Sequence, residues 1–471
     1  MILICIYNCC CKKYNFGDYN VEKIYKDPAQ VYDLIGIGLG PFNLGLAALA
    51  DDVSGLNTLF IEQASEFNWH PGLMLDNATL QVPFLADLVS LADPTSRYSF
   101  FNYLHNQNRL YKFYFYENFF ILRKEYNHYC QWVASQLQNI RFSTKVVNIS
   151  ISNEAGGDKK IYHLEIHNLE TGTSEVLKAR HIALGIGTKP HIPINLVIPS
   201  DLVVYHSADF VSYASEIADK NNICVVGSGQ SAGEVVLELL NRNSAKENKQ
   251  KIYWITRSNG FFPMEYSKLG LEHFSPDYMG YFYTLPENTR QDLIACQDMM
   301  YKGISKQTIA DIFDSLYRLT IADNPQPLTM LANTSLDSVS KASNSEGLIL
   351  DVHNCLSQTK FQLEVDALIL ATGYRTADLS IMSPLDRLLE KDSRQNYALN
   401  ADFSLKINEA DIGKIFMQNN SLYSHGVGSP DLGLGAYRNS VIINTICNRT
   451  VYKTAKKNVF QSFGAINEFS S

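Results

Sequence analysis

The feature that most constrains this chain is a strand running into closely spaced glycines and then into a helix, and it occurs twice. The first copy reads Val31-Tyr-Asp-Leu-Ile-Gly36-Ile-Gly38-Leu-Gly40-Pro41-Phe-Asn43, with Leu44, Ala47, Ala48 and Leu49 supplying an apolar helix face behind it. Such a turn seats a dinucleotide pyrophosphate. Gly36 permits the tight turn, Gly38 lets backbone N–H groups approach the phosphates, and the helix N-terminus adds its positive end. Pro41 replaces the third glycine of the fingerprint and is tolerated at a first helical position. A second strand, Thr58-Leu-Phe-Ile-Glu62, ends in a carboxylate where a ribose-binding acid belongs, roughly 20 residues on.

The second copy is Asn222-Ile-Cys-Val-Val-Gly227-Ser-Gly229-Gln230-Ser231-Ala232-Gly233-Glu234. Its following strand, Lys251 to Arg257, ends in a cation and no acid. An Arg there pairs with a 2′-phosphate, which favours NADPH over NADH; an ordinary solvated Arg257 is the competing reading. Two further strand ends, Arg180 to Pro190 through Gly185 and Gly187, and Val365 to Arg375 through Thr372, Gly373 and Tyr374, run into small-residue turns suited to passing a cofactor or crossing between domains.

The predicted fold class is therefore α/β: two Rossmann-like dinucleotide-binding domains, for FAD and NADPH, with a small helical substrate-binding layer. The expected boundaries are a tail over 1–30, a first segment of the FAD domain over 31–205, an inserted NADPH domain over 206–365, and a second FAD segment over 366–471. A helical region over about 286–322, with Leu293, Ile294, Ile309, Ile312, Phe313 and Leu316 as its buried face, is expected to lie over the cleft. Two nucleotide sites in one chain suggest a hydride relay from a nicotinamide to a flavin. A redox-active C-x-x-C is absent, so the flavin passes its electrons elsewhere, with oxygen and a small substrate as the obvious acceptors.

Composition excludes other classes. Of 471 residues 46% are hydrophobic and 19% charged, enough apolar surface for a large core in about three domains. The net charge of −8 and the lack of a basic run argue against nucleic acid or an anionic membrane as partner, and no apolar stretch reaches membrane-span length. Nine cysteines are too few for a disulfide scaffold, which fits a reducing, cytoplasmic setting. Four of them, Cys5, Cys9, Cys10 and Cys11, cluster at the start without a nearby His or paired spacing, so no metal is expected. The apolar leader lacks a basic n-region and a cleavage site, and an untethered tail is the preferred reading.

Residues 31 to about 450 resemble the N-hydroxylating flavin monooxygenases of siderophore biosynthesis, the lysine and ornithine hydroxylases and their diamine-acting branch. The resemblance is carried by Gly38-Leu-Gly-Pro-Phe-Asn43, Trp69-His70-Pro71-Gly72, Leu80-Gln81-Val-Pro-Phe-Leu-Ala86-Asp87, Asp93-Pro94-Thr95-Ser96, Gly227-Ser-Gly-Gln-Ser-Ala232, Ala371-Thr-Gly-Tyr374 and His425-Gly426, in that order. It implies FAD, NADPH, O₂ and an aliphatic primary amine, with oxygen added at the flavin C4a and passed to the amine. It further implies that Gln81 lies beside the flavin and that Trp69 and His70 wall the cleft. Simple packing is the competing reading for Trp69, and a structural hydrogen bond is preferred over proton transfer for His70. His425 belongs to the same cofactor-side set. His206 resembles a linker signature and is read as a hinge; Met299, Met300 and the aromatic run Tyr111 to Phe120 are read as packing surfaces. A homo-oligomer, typically a tetramer, follows from resemblance alone.

Departures from the amino-acid hydroxylases bear on the substrate. Where those enzymes carry a Lys for the substrate carboxylate this chain has Ala86. Where they carry an Asn it has Leu271, and where they carry a Ser it has Gly433. Burying a carboxylate without partners costs several kcal/mol, so the set points to putrescine or cadaverine, with Asp431 holding the distal ammonium. Capping of a following helix is the other reading of Asp431. Lysine, ornithine or histamine as substrate, and a flavoprotein that binds cofactors without hydroxylating, remain the alternatives.

Overall fold

The computed structural model describes residues 30–153, 159–244, 250–342 and 347–464. The N-terminal tail and its cysteine cluster lie outside them.

The apolar run Val31–Ile37 forms the central strand of the first sheet, buried on both faces as expected of a parallel strand. The sheet order is Ile140–Arg141, Thr58–Ile61, Val31–Ile37, Ser174–Leu184, Lys160–Asn168, Thr144–Asn153. Ser174–Leu184 pairs with Val31–Ile37 on one edge and serves two neighbours on the other. Its first half pairs antiparallel with Lys160–Asn168, and its last residues pair parallel with Ile415–Met417. The helix Pro41–Asp51 covers one face, and Leu44, Leu46, Ala47, Ala48 and Leu49 are fully buried there. At roughly 1.5–3 kcal/mol per fully buried Leu-sized side chain, that face holds the glycine turn in place. The C-terminal helix Gly435–Cys447 packs on the same helix through Ile442 and Ile443. This packing returns the 421–435 segment to the first glycine turn.

The second sheet is wholly parallel, ordered Leu328–Leu331, Lys251–Ile255, Asn222–Val226, Ala367–Leu370, Tyr205–His206. The expected boundary at 366 is therefore too early. Ala367–Leu370 pairs with Asn222–Val226 on one side and Tyr205–His206 on the other, so it belongs to the inserted unit. Its apolar residues read equally well in either sheet; only the register assigns them. The chain crosses back at Tyr374–Thr376, which pairs antiparallel with Thr188–Pro190. That two-stranded ribbon joins the units, and both small-residue turns expected to cross between domains meet in it.

The helical layer also differs from expectation. After the single turn Lys268–Leu271, a longer helix begins at Pro276, capped by Ser275, which accepts from the Tyr278 N–H. Pro276–Thr284 and Glu287–Cys296 pack through Tyr278, Phe282 and Ile294 around Val427 of the C-terminal segment. Lys306–Leu319 packs instead on Gln230–Ser244, where Gly233 admits Ile304 and Thr308. One sequence stretch thus serves two bodies. Ile294 and Ile312 are buried as expected, Leu293, Ile309 and Leu316 partly so, but Phe313 is 66% exposed. Met299 is largely exposed and Met300 packs beside Ile294's cluster. No helix among the described residues is long and apolar enough to cross a membrane.

Candidate cofactor and substrate site

The first glycine turn opens onto a cavity of about 650 Å³ whose wall includes Gly38, Gly40, Glu62, Gly185 and Gly187. The three glycines divide the work differently from the sequence reading. Gly36 lies within the strand, and a Cβ there would sit 2.1 Å from the Phe60 ring, so its role is packing. Gly38 makes the turn at φ +81°, against the Gly185 carbonyl. Gly40 caps the helix and faces open space, so it is the glycine that leaves room for a phosphate group. Pro41 takes the first helical position as expected. Asn43 is fully buried and donates to the Gly38 carbonyl at 2.7 Å, bracing the turn from behind rather than facing the cavity. Glu62 accepts from Leu39 N–H at 2.7 Å and Ala64 N–H at 2.9 Å, which aims its carboxylate at the cavity rim with lone pairs to spare. The residues fit an adenine dinucleotide.

In the second unit Gly227 holds φ +137°, and a Cβ there would strike the Ala371 carbonyl. Gly229, Gln230 and Ser231 start the helix that follows. Arg257 is exposed just beyond the end of Lys251–Ile255, and Ser258 next to it meets Ser228 of the glycine turn at 3.2 Å. A 2′-phosphate beside that turn would lie within reach of an exposed guanidinium. Gly373, at φ +85°, also faces open space. Thr372 donates to the His191 carbonyl, holding the inter-unit ribbon. Tyr374 brings its ring to 5.9 Å from His70 and 5.8 Å from His206. His206 itself is a buried strand residue whose Nδ1 accepts from Ala208 N–H.

Between the units the structure assembles a polar chain that the sequence did not disclose. Gln81 Nε2 donates to Met264 Sδ at 3.0 Å and to Gln230 Oε1 at 3.3 Å. Gln230 in turn donates to Glu234 at 3.0 Å, and Glu234 is gripped by both Nη atoms of Arg123 at 2.7 and 3.1 Å. Arg123 and Glu234 are both buried and come from different units. The carboxylate three residues past Ser231, among the buried residues Ala232, Gly233, Val235 and Val236, was the available signal. Trp69 packs edge-on against Tyr126 at 5.3 Å and His70 at 4.6 Å. His70 adopts φ +50°. Burial, reinforced by the nearby Arg123 cation, pushes its pKa down to about 4.

Three of the four expected substrate positions meet. A Cβ at Gly433 would lie 3.7 Å from the Ala86 Cβ and 2.9 Å from Asp431 Oδ1. Ala86 is held by its neighbour Asp87, whose buried carboxylate accepts from Val89, Ser90 and Phe100 N–H groups. Asp431 accepts from Gly433 N–H at 2.7 Å and so does cap the short helix Leu432–Leu434, as one reading expected. Burial pushes its pKa up to about 6, against the Gly433 N–H bond and the Arg438 charge. Tyr266 lies beside both Asp431 and Gln81, and burial with the Asp431 charge lifts its pKa to about 12. Leu271 is 41% exposed, its backbone closing a helical turn on Ser267, so it does not join this group. His425 is corrected too. It is 2% exposed, stacked on Phe403 at 4.4 Å and bonded to Ser424, a packing position without a face left for a cofactor.

Arg438 completes the site from below and was missed. It is fully buried between the rings of Phe42 and Phe403, at 4.8 and 5.3 Å, and donates to the Ser429 carbonyl. Its Nε and Nη1 have no partner among the described residues, and burial brings its pKa down to about 9.

A family model described as L-lysine 6-monooxygenase/L-ornithine 5-monooxygenase matches residues 30–376. The rhizobactin siderophore biosynthesis protein RhbE of Rhizobium meliloti is 42% identical over 437 residues, covering 92% of this chain and 95% of that one. The putrescine N-hydroxylase of Acinetobacter baumannii is 40% identical over 438 residues, covering 93% and 95%. The crystal structure of FAD-bound DfoA, the cadaverine monooxygenase of the desferrioxamine pathway in Erwinia amylovora, matches with a TM-score of 0.87 at 36% identity, covering 93% and 99%. With the doubled glycine turn, its carboxylate and the inter-unit site in one chain, these matches show that the protein belongs to the L-lysine 6-monooxygenase/L-ornithine 5-monooxygenase family.

Proposed function

We infer that this chain is an FAD-dependent, NADPH- and O₂-using monooxygenase that hydroxylates one primary amine of putrescine or cadaverine for hydroxamate siderophore biosynthesis. The observation that carries the choice of substrate is the trio Ala86, Gly433 and Asp431: two small side chains with a carboxylate beside them. Neither Ala86 nor Gly433 offers an α-carboxylate a partner, whereas a distal ammonium finds Asp431. The relatives named for putrescine and cadaverine support the same reading.

FAD would be held by Gly38, Gly40 and Glu62, and NADPH by Gly227, Gly229, Gln230, Ser231 and Arg257. When bound and reduced, FAD would supply the O₂ chemistry that delivers an electrophilic oxygen to the amine. The chain does the rest. Asp431 is ionised above about pH 6 and orients the diamine by its far end. Ala86 and Gly433 lie beside Asp431 and so line the far end, while the near-end amine, otherwise as basic as Lys, must shed its proton away from that carboxylate to free its lone pair. Gln81, fixed by Met264 and Gln230, presents its amide at the junction of the two units. His70 stays neutral at working pH and serves as a wall, not a proton donor. Five free cysteines among the described residues, with NADPH as reductant, support a cytoplasmic setting.

The test is an amine panel on FAD-loaded enzyme, scoring hydroxylated product by mass spectrometry beside NADPH oxidation. Putrescine or cadaverine should give product with little from lysine or ornithine. Coupled turnover with the amino acids alone would refute the diamine assignment. NADPH oxidation without product from any amine would refute hydroxylation itself.

A further inference from the structure

The aromatic run read as a packing surface packs on almost nothing. Leu110–Tyr116 forms a two-turn helix with no buried residue. Phe113 anchors it, at 5.2 Å from Phe84 and 5.5 Å from Phe100. Tyr111, Tyr114, Phe115, Tyr116, Phe119 and Phe120 are between 39% and 79% exposed. At roughly 200 Å² per aromatic side chain, these six present about 700 Å² of ring surface. That exceeds the ~300–600 Å² of the largest patch on a typical monomer and approaches the ~800 Å² per partner of a stable interface.

The same face carries both halves of a contact. A groove of about 630 Å³, walled by Phe84, Phe101, Phe113 and Tyr114, opens beside the protruding rings of Phe115 and Tyr116. A two-fold axis through such a face puts each copy's ridge into the other's groove. Lys112 is the single cation within the helix, and Arg109 just before it is engaged by Glu125 at 2.7 Å. A helix that lies on lipid carries a basic rim instead.

The patch is also tied to the site. Leu80 N–H donates to the Ile121 carbonyl and Phe84 N–H to the Phe119 carbonyl, both at 2.9 Å. The segment behind the patch therefore grips both ends of the stretch that holds Gln81, two residues short of Ala86.

We propose that the aromatic face of residues 110–120 docks a second copy of this chain through a two-fold contact, and that docking braces the Gln81 segment for turnover. The bracing rests on the proposed monooxygenase reading; the docking does not. The experiment uses FAD-loaded full-length protein, with mass measured by sedimentation over a dilution series and putrescine turnover measured at each concentration. Wild type should sediment at twice or more the 53.1 kDa chain mass, and dilution should lower mass and turnover together. Tyr114→Glu/Phe115→Glu should halve the mass and lower kcat several-fold with FAD content unchanged. Phe313→Glu, an exposed ring elsewhere, should alter neither. Wild type at monomer mass throughout, or a double variant keeping wild-type mass, overturns the docking. Wild type that is monomeric and floats with phosphatidylcholine vesicles assigns the face to lipid and overturns it too. Concerted loss of mass with turnover unchanged overturns the bracing. Association intact while no amine is ever hydroxylated sinks the function reading and leaves the interface standing.

Discussion

Asp431 answers to two demands at once, capping Leu432–Leu434 and facing the small-residue pair Ala86 and Gly433. Its pKa in the folded chain, about 6, lies above the ordinary 3.8. A raised carboxylate pKa means the folded state binds the proton more readily, so the free enzyme gains stability as pH falls through 6 toward 4. Asp431→Asn keeps the Gly433 bond and removes the buried charge. It should raise substrate-free stability at pH 7.5 by about 1–2 kcal/mol, read from urea midpoints, while raising the putrescine KM at least tenfold. In the wild type that KM should climb below pH 6, and the climb should vanish in the variant. A KM independent of pH between 5 and 8 would show that Asp431 does not hold the ammonium. Glycines give a second contrast. Gly36→Ala drives a methyl into Phe60 and should cost about 1–3 kcal/mol. Gly40→Ala meets open space, so the apoprotein melts as before while FAD content drops. Motif spacing located all three glycines, but it could not tell the packing glycine from the cofactor-facing one. That difference depends on Phe60, contributed by another strand.

Among the elements, the helices Arg123–Gln136 and Gln230–Ser244 are joined by the buried Arg123–Glu234 pair. Glu234→Leu leaves a buried guanidinium uncompensated and should destabilise by about 3–5 kcal/mol. Arg123→Met/Glu234→Leu should recover most of that, in denaturant melts followed by circular dichroism. At the end of Lys251–Ile255, Arg257→Ala should raise the NADPH KM about tenfold, close to 1.4 kcal/mol, and leave the NADH KM unchanged. Equal effects on both would mean that Arg257 is merely solvated. An apolar stripe made a helical region over about 286–322 legible, though the break at Ser305, which caps Lys306–Leu319, was not. The stripe did not say which body it would cover. Lys306–Leu319 went to the second unit and Pro276–Thr284 to the C-terminal segment, and Phe313 was left in solvent.

For the molecule as a whole, local pattern alone dictates two glycine-turn nucleotide units and their polarity along the chain, whereas the departures at Ala86 and Gly433 have meaning only against the family resemblance. The units and their polarity depend on neighbours within a turn or a strand, where backbone sterics and the 2.0 and 3.6 periodicities act directly. Folding in three dimensions was needed for everything that depends on residues far apart in sequence. It moved Ala367–Leu370 into the second sheet, brought Arg123 to Glu234 and Gln81 to Gln230, sealed His425 behind Phe403, and exposed Leu271. It also left the ring face of 110–120 uncovered, which no count of aromatic residues discloses. The physical reason is common to all of them. A side chain's burial and its partners are set by which elements close over it, and that is decided by sheet register and long-range packing, not by the residues on either side.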